Sequence, residues 1–245
     1  MRALICRAWG EIDTLEMGEM VPPVPGPGQV LIDVVATSAN FADTIMVAGR
    51  YQTKPEFPFA PGLEGAGRVA AVGSGVTNVK PGDMVMAKLE HGGFAEQAVA
   101  SATETWPLFA GMNCADGAAF LVAYLSAHLA LRWQGRLEAG ETLLVLGAAG
   151  GSGLAAVEIG KAMGATVIAG ASSDERLAAV REHGADHVVN YSTEDLKGRV
   201  LEMTGGEGAD VCFDPVGGDL FDGALSSLGW GGRFVHFGFV GGVPQ

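Results

Sequence analysis

The chain has 245 residues, 48% of them hydrophobic and 18% charged, a balance that fits one or two packed domains and excludes a disordered chain. A net charge of −13 repels nucleic acid at long range, so no nucleic-acid partner is expected and any anionic ligand must be held by local donors. Cys6, Cys114 and Cys212 lie far apart without a C-x-x-C pair, which excludes a disulfide framework or a cysteine-rich zinc site and fits a reducing compartment. The uncharged run 117–131 is too short to span a bilayer and contains Ser126 and His128. Arg2 and Arg7 precede no long apolar core, so no secretory signal, no membrane partner and a cytoplasmic location are expected.

The chain reads as β-rich up to about residue 110, with short runs cut by Gly and Pro. PPVPGPGQ (22–29) is a turn segment that cannot continue a helix or a central strand. Residues 30–38 alternate as a strand does, and Asn40 is placed to cap a helix over 41–48. Residues 67–72 and 84–88 are further strands joined through GSGVTNVKPGD, and 94–100 is another. This is the pattern of a small, partly open barrel.

At about Asn113 the punctuation changes, which divides the chain into domains 1–115 and 116–245. Residues 116–133 are apolar at helical spacing and can connect the halves. Strands then follow at 143–146, 167–169, 187–190, 210–214 and 233–236, with helices at 154–163, 174–183, 193–203 and 220–227. That alternation predicts five parallel strands of a doubly wound α/β sheet. HFGFVGGVPQ stops directly after the fifth strand, where a six-stranded nucleotide domain needs another crossover and strand. The nucleotide domain is therefore expected to be cut short at its C-terminus, with an apolar sheet edge uncovered if the chain ends at Gln245.

Residues 141–170 carry the strongest signal: an apolar run, the cluster GAAGGSG (147–153), a helix-period segment and a second apolar run. Strand, tight turn, helix and strand form the unit that sets a dinucleotide pyrophosphate on a helix N-terminus. The turn reads A-x-G-x-x-G from Ala148, so Ala149, Gly150, Gly151, Ser152 and Gly153 are cofactor-binding candidates. Gly150 lets the backbone approach the phosphates and Gly153 lets the helix lie close to the strand.

A domain that prefers NAD carries Asp or Glu at the end of the second strand to bind the ribose hydroxyl. Counting on from Gly153, that position is Ser172, a hydroxyl that accepts a 2′-phosphate where a carboxylate repels it. Arg176 follows four residues on, and Tyr191 ends the third strand. SSDE (172–175) also reads as a capping box with Ser172 as N-cap and Glu175 three residues later. Asp174 and Glu175 weaken the positive potential, and NADPH is still favoured over NADH.

The blocks NFADTIMVAGRYQ (40–52), PFAPGLEGAGRVAAVG (58–73), PGDMV (81–85), GGFAEQAV (92–99), YLSAHLAL (124–131), GAAGGSG (147–153), GADHVVNY (184–191) and GADVCFDPVGG (208–218) occur in order. In them the chain resembles the zinc-free medium-chain dehydrogenases/reductases of the NADPH:quinone oxidoreductase (zeta-crystallin-like) family. The resemblance implies a GroES-like catalytic domain, then a Rossmann domain, with Ser172, Arg176 and Tyr191 clasping the cofactor phosphate. It places Asn40, Asp43 and Tyr51 at the active site, Ser126 where relatives carry a Thr facing the nicotinamide, and Phe237, Gly238 and Phe239 where main-chain groups meet that ring. The bland alternatives are a helix cap for Asn40, a packed ring for Tyr51 and a hydroxyl bonded one turn back for Ser126.

Zinc-containing relatives carry a His directly before the Glu of the 58–73 block and a Cys upstream. This chain has Leu63 before Glu64, and Ser38 or Asn40 upstream. Leu cannot coordinate, so no metal is expected, and ordinary alcohol dehydrogenation loses its Lewis acid. The implied activity is hydride transfer from NADPH to a quinone or enone, with Tyr51, Asn40 or a main-chain N–H donating to the carbonyl oxygen. A non-enzymatic, crystallin-like NADPH-binding protein and an enoyl-thioester reductase are the alternatives. A short-chain dehydrogenase is excluded, because none of Tyr51, Tyr124 and Tyr191 has Lys four residues on. A homodimer is expected if the C-terminus is complete.

Overall fold

The computed structural model describes residues 1–243 and divides into two compact units, Met1–Val122 and the part from Ala123 onward. In the first unit the elements are β1 (Arg2–Ile5), β2 (Glu16–Glu19), β3 (Gln29–Thr37), α1 (Phe41–Val47), β4 (Glu64–Val72), β5 (Met84–Lys88), β6 (Gln97–Ser101), β7 (Thr105–Pro107) and α2 (Cys114–Ala118). Five strands pair antiparallel in the order β6-β3-β4-β5-β7, and β1 pairs with β2 beside them.

Alternation along β3 places Val30 and Ile32 in a core with Val69, Val85, Ala98 and Ala100, while Asp33 points out to Gln97. Gly67 lets β4 close onto β3: a Cβ there lies 2.0 Å from the Asp33 carbonyl oxygen. The expected strand over 94–100 begins only at Gln97. The chain before it turns, with the Phe94 amide bonded to the Pro61 carbonyl at 2.8 Å. Helix α2 belongs to this unit because Ala118, with Leu121 beyond it, is buried against Ala66 and Met86, which sets the division after Val122.

The helical segment continues as α3 (Ser126–Leu129), flanked by two wider, π-type turns, Leu121–Leu125 and Ala130–Gln134. The second unit then alternates β8 (Thr142–Val145), α4 (Gly151–Ala162), β9 (Thr166–Ala171), α5 (Asp174–Glu182), β10 (His187–Asn190), α6 (Leu196–Met203), β11 (Ala209–Asp214), α7 (Phe221–Leu225) and β12 (Leu228–His236). All five strands are parallel in the order β10-β9-β8-β11-β12, so this unit is a Rossmann-type sheet and the first is GroES-like.

Successive residues of each strand are buried on opposite faces. Leu143, Val145, Val167, Val211 and Phe213 meet Ala155 and Ala156 of α4 on one side; Leu144, Ile168, Val189 and Cys212 meet Val200 and Ala224 on the other. Burial on both faces explains the unbroken apolar runs. Helix α6 starts later than the expected residue 193, because Asp195 caps it through the Gly198 amide at 3.1 Å while residues 193–194 turn back onto the Asn190 carbonyl. The strand order reverses between β8 and β11, which opens a crevice at their carboxyl ends.

Candidate active site

The turn after β8 is built for a close approach. Gly147, with φ of +54°, is the left-handed residue, and a Cβ on it meets Val216 Cγ2 at 2.8 Å. The sharp bend therefore falls one residue before Ala148, which is why an alanine can open the A-x-G-x-x-G pattern. A Cβ on Gly153 lies 2.3 Å from the Gly147 carbonyl oxygen, so only glycine lets α4 sit against the turn. Gly150 is the exposed N-cap and supplies no side chain to the first amides of α4. The N–H groups of Gly151, Ser152 and Gly153 lack intrahelical partners and are available to an anion. Ala149 is half-buried between Ala148 and Gly150 in the same turn.

At the ends of β9 and β10 a second polar group assembles. Arg176 Nη1 donates to Ser172 Oγ at 3.1 Å, and Tyr191 lies within reach of both. Burial pushes the Tyr191 phenol up, partly offset by the Arg176 charge and the Ser172 hydrogen bond. Gly170 makes room for this ring, since a Cβ there lies 3.2 Å from it. The capping expectation needs correction: Ser173, not Ser172, is the N-cap of α5, and its hydroxyl accepts the Arg176 amide at 3.4 Å. Either serine has the chemistry, but α5 starts at Asp174, which leaves Ser172 facing the guanidinium. Asp174 turns its carboxylate to the Asn190 side-chain amide at 2.9 Å.

In the first unit the 40–52 block surrounds a buried carboxylate. Glu64 is 1% exposed; its Oε1 accepts from the Ser38 hydroxyl and from Asn40 Nδ2 at 3.0 Å, and its Oε2 from the Val122 amide at 2.9 Å. Asn40 Nδ2 also donates to Ser38 Oγ at 2.9 Å. The NH2 of Asn40 thus faces Glu64 and Ser38, and both its hydrogens are spent. Asn40 is therefore an acceptor toward anything else, not the donor that sequence reasoning allowed.

Asn40 is also the N-cap of α1, and its amide donates to Asp43 Oδ2 at 2.8 Å. Asp43 is 4% exposed, and its Oδ1 accepts from the Gly62 amide at 3.2 Å. Burial pushes its carboxyl up against the pull of these amides. Tyr51 packs its ring with Phe59, Met46 and Leu63, and its hydroxyl has no hydrogen-bond partner among the described residues.

Ser126 is half-buried and opens α3 between the two π-type turns, a backbone irregularity frequent at functional sites. The amides of Phe237 and Gly238 both donate to the Asp214 carbonyl, at 2.8 and 3.2 Å, and the Phe239 carbonyl accepts from the Gly242 amide at 3.0 Å. Phe237 packs on Phe213 and the exposed Phe239 on His236.

Two anchors escaped the sequence reading. Glu64 entered only as the residue that follows Leu63, and Asp214, fully buried, holds the Val216 and Gly217 amides at 2.8 and 2.9 Å. The signal for Asp214 was the D-P-V-G-G turn that ends its strand at the crevice.

The residues do not fit zinc. Leu63 is buried and offers no donor, Ser38 is engaged with Glu64, and His91 packs edge-on against Phe59. Among the described residues no group of three or more His, Cys, Asp or Glu is arranged to hold a metal ion.

Two family descriptions match the chain: "Alcohol dehydrogenase GroES-like domain" over residues 26–126 and "Zinc-binding dehydrogenase" over residues 151–245. Quinone oxidoreductase-like protein 2 of Rattus norvegicus is 39% identical over 242 residues, which cover 98% of this chain and 69% of that protein. Among solved structures, the quinone oxidoreductase of Pseudomonas syringae pv. tomato is 34% identical with a TM-score of 0.93, covering 100% of this chain and 75% of the other. The Escherichia coli quinone oxidoreductase complexed with NADPH is 31% identical, with a TM-score of 0.93 and the same coverage. The chain belongs to the quinone oxidoreductase-like family of the medium-chain dehydrogenase/reductase superfamily.

Proposed function

We propose that this chain is an NADPH-dependent oxidoreductase that reduces a quinone or an α,β-unsaturated carbonyl without zinc. The observation that carries the reading is the convergence of Ser172, Arg176 and Tyr191 beside a glycine turn whose helix amides are uncapped. A relative solved with NADPH bound supports it. The amides of Gly151, Ser152 and Gly153 receive the pyrophosphate, and the absence of side chains at Gly150 and Gly151 lets it approach. Ser172, Arg176 and Tyr191 receive the 2′-phosphate, and no carboxylate takes the place of Ser172 to repel it.

When bound, NADPH supplies the hydride. Charge then develops on the acceptor's carbonyl oxygen, and the Tyr51 hydroxyl, without a hydrogen-bond partner among the described residues, is the donor assigned to it; a well-placed donor contributes about 2.7–4 kcal/mol. Asn40, oriented by Glu64, offers an acceptor, and Asp43 holds the start of α1. Ser126 is assigned to the nicotinamide side, with main-chain groups of Phe237, Gly238 and Phe239. The final proton comes from water.

Zinc independence is supported by the donor set: Leu63, Ser38 and Asn40 stand at the ligand positions, and Glu64 is consumed by three hydrogen bonds. A cytoplasmic location and, if the C-terminus is complete, a homodimer belong to the same reading. The first is supported by three free cysteines and is tested by imaging the tagged chain; the second is tested by sedimentation. No helix among the described residues is long and apolar enough to cross a membrane. The function is tested by following NADPH and NADH oxidation, with and without chelator, across quinones, alkenals and enoyl thioesters. Turnover with a quinone or alkenal, NADPH preferred and chelator without effect, is expected; no turnover with any acceptor overturns the reading.

A further inference from the structure

The residue before Tyr191 is 7% exposed and ties together more of the fold than any neighbour in its turn. Asn190 ends β10; its side-chain Oδ1 accepts from the Ser192 amide at 3.2 Å, and its carbonyl accepts from the Thr193 and Glu194 amides at 3.0 and 2.8 Å. Its own amide donates to Glu194 Oε2 at 2.8 Å. Its remaining group, Nδ2, reaches across to the first residue of α5 and donates to Asp174 Oδ1 at 2.9 Å. The orientation is fixed by chemistry: Asp174 only accepts and the Ser192 amide only donates, so the side-chain amide cannot be turned over.

We propose that Asn190 is a positioning residue for 2′-phosphate selection, because its hydrogen bond to Asp174 holds the start of α5, which leads to Arg176, against the end of β10, which leads to Tyr191. This rests on the Ser172–Arg176–Tyr191 group being the phosphate site. Loosening this tie shifts Arg176 relative to Tyr191, which weakens NADPH and leaves NADH, which has no 2′-phosphate, nearly unaffected.

The test measures dissociation constants of NADPH and NADH for four full-length proteins: wild type, Asn190→Asp, Asp174→Asn, and the double variant. Asn190→Asp sets two carboxylates against each other and is expected to weaken NADPH about tenfold while changing NADH less than twofold. The double variant restores the hydrogen bond with donor and acceptor exchanged, and is expected to recover NADPH affinity to within about threefold. Asp174→Asn, which removes the charge, is expected to keep NADPH affinity and provides a reading should Asn190→Asp fold poorly. Equal losses for both cofactors in Asn190→Asp, no recovery in the double variant, or a marked NADPH loss in Asp174→Asn overturns the proposal. A wild type with no preference for NADPH instead removes the phosphate site on which it rests.

Discussion

Arg176 uses two different serines at once: its backbone amide caps onto Ser173 Oγ at 3.4 Å, while its guanidinium reaches Ser172 Oγ at 3.1 Å. The cap fixes where α5 begins, and that fixes where the positive charge lies relative to the end of β9. A hydrogen bond to a charged group contributes about 1.5–3 kcal/mol. Arg176→Ala is therefore expected to weaken NADPH binding about tenfold or more and to leave NADH nearly unchanged. Calorimetric titration of both cofactors checks this, and equal losses would remove Arg176 from the phosphate site.

The glycine turn separates steric need from ligand access. A Cβ at Gly153 lies 2.3 Å from backbone oxygen, whereas one at Gly151 meets nothing within 4 Å. Gly153→Ala is expected to lower stability by about 1–3 kcal/mol, the usual range for an overpacked site, and to lose cofactor binding. Gly151→Ala is expected to keep the melting temperature. Thermal unfolding of the two variants side by side tells them apart, and similar melting temperatures would contradict the packing argument.

Arg233 fastens β12 to the segment that leads into β8, donating to the Gly135, Arg136 and Asp210 carbonyls and to Glu141 Oε2 at 2.6 Å. Hydrogen bonding to Arg233 is the main reason the Glu141 carboxyl is held below its ordinary value of 4.5. A carboxyl depressed in the folded state stabilises above its unfolded value, and that contribution disappears as pH falls through the folded value. Glu141→Gln is expected to cost about 1–2 kcal/mol at neutral pH, at the low end for a charged pair whose side chains are each 23% exposed. Urea unfolding at pH 7 and in acid is the check: the difference from wild type should narrow below about pH 4. A difference independent of pH would show that the ion pair is not its source.

The Tyr124 hydroxyl donates to Glu158, which also holds His183 Nδ1. Burial first, and then the Glu158 hydrogen bond and charge, raise Tyr124 from 10.0 to about 12. Between those values the folded chain keeps a proton that the unfolded chain releases, so stability falls as pH rises through that window. An alkaline absorbance titration should show a late phenol transition that Tyr124→Phe abolishes. Its persistence in the variant would assign it to another tyrosine.

Much of the architecture was legible because its causes are local. Unbroken apolar runs marked β8 and β9, and the glycine cluster marked the phosphate turn. Strands β1, β2 and β7 were missed: β2 is largely exposed and shows no alternation, and β7 is three residues long. The site's finer chemistry was hidden for a different reason. Which serine caps α5 depends on where β9 releases the chain, and adjacent serines look alike in sequence. That Asn40 accepts rather than donates depends on Glu64, a residue 24 positions away whose burial no local pattern records. Asn190 looked like the end of a strand until its tie to Asp174 was visible.

The central claim is that Ser172, Arg176 and Tyr191 hold the 2′-phosphate of the cofactor. Its most direct test is the ratio of NADPH to NADH dissociation constants in wild type and in Ser172→Asp, which places a carboxylate where the hydroxyl now faces Arg176. The account predicts that wild type prefers NADPH and that the variant loses this preference or reverses it. An unchanged ratio would contradict it.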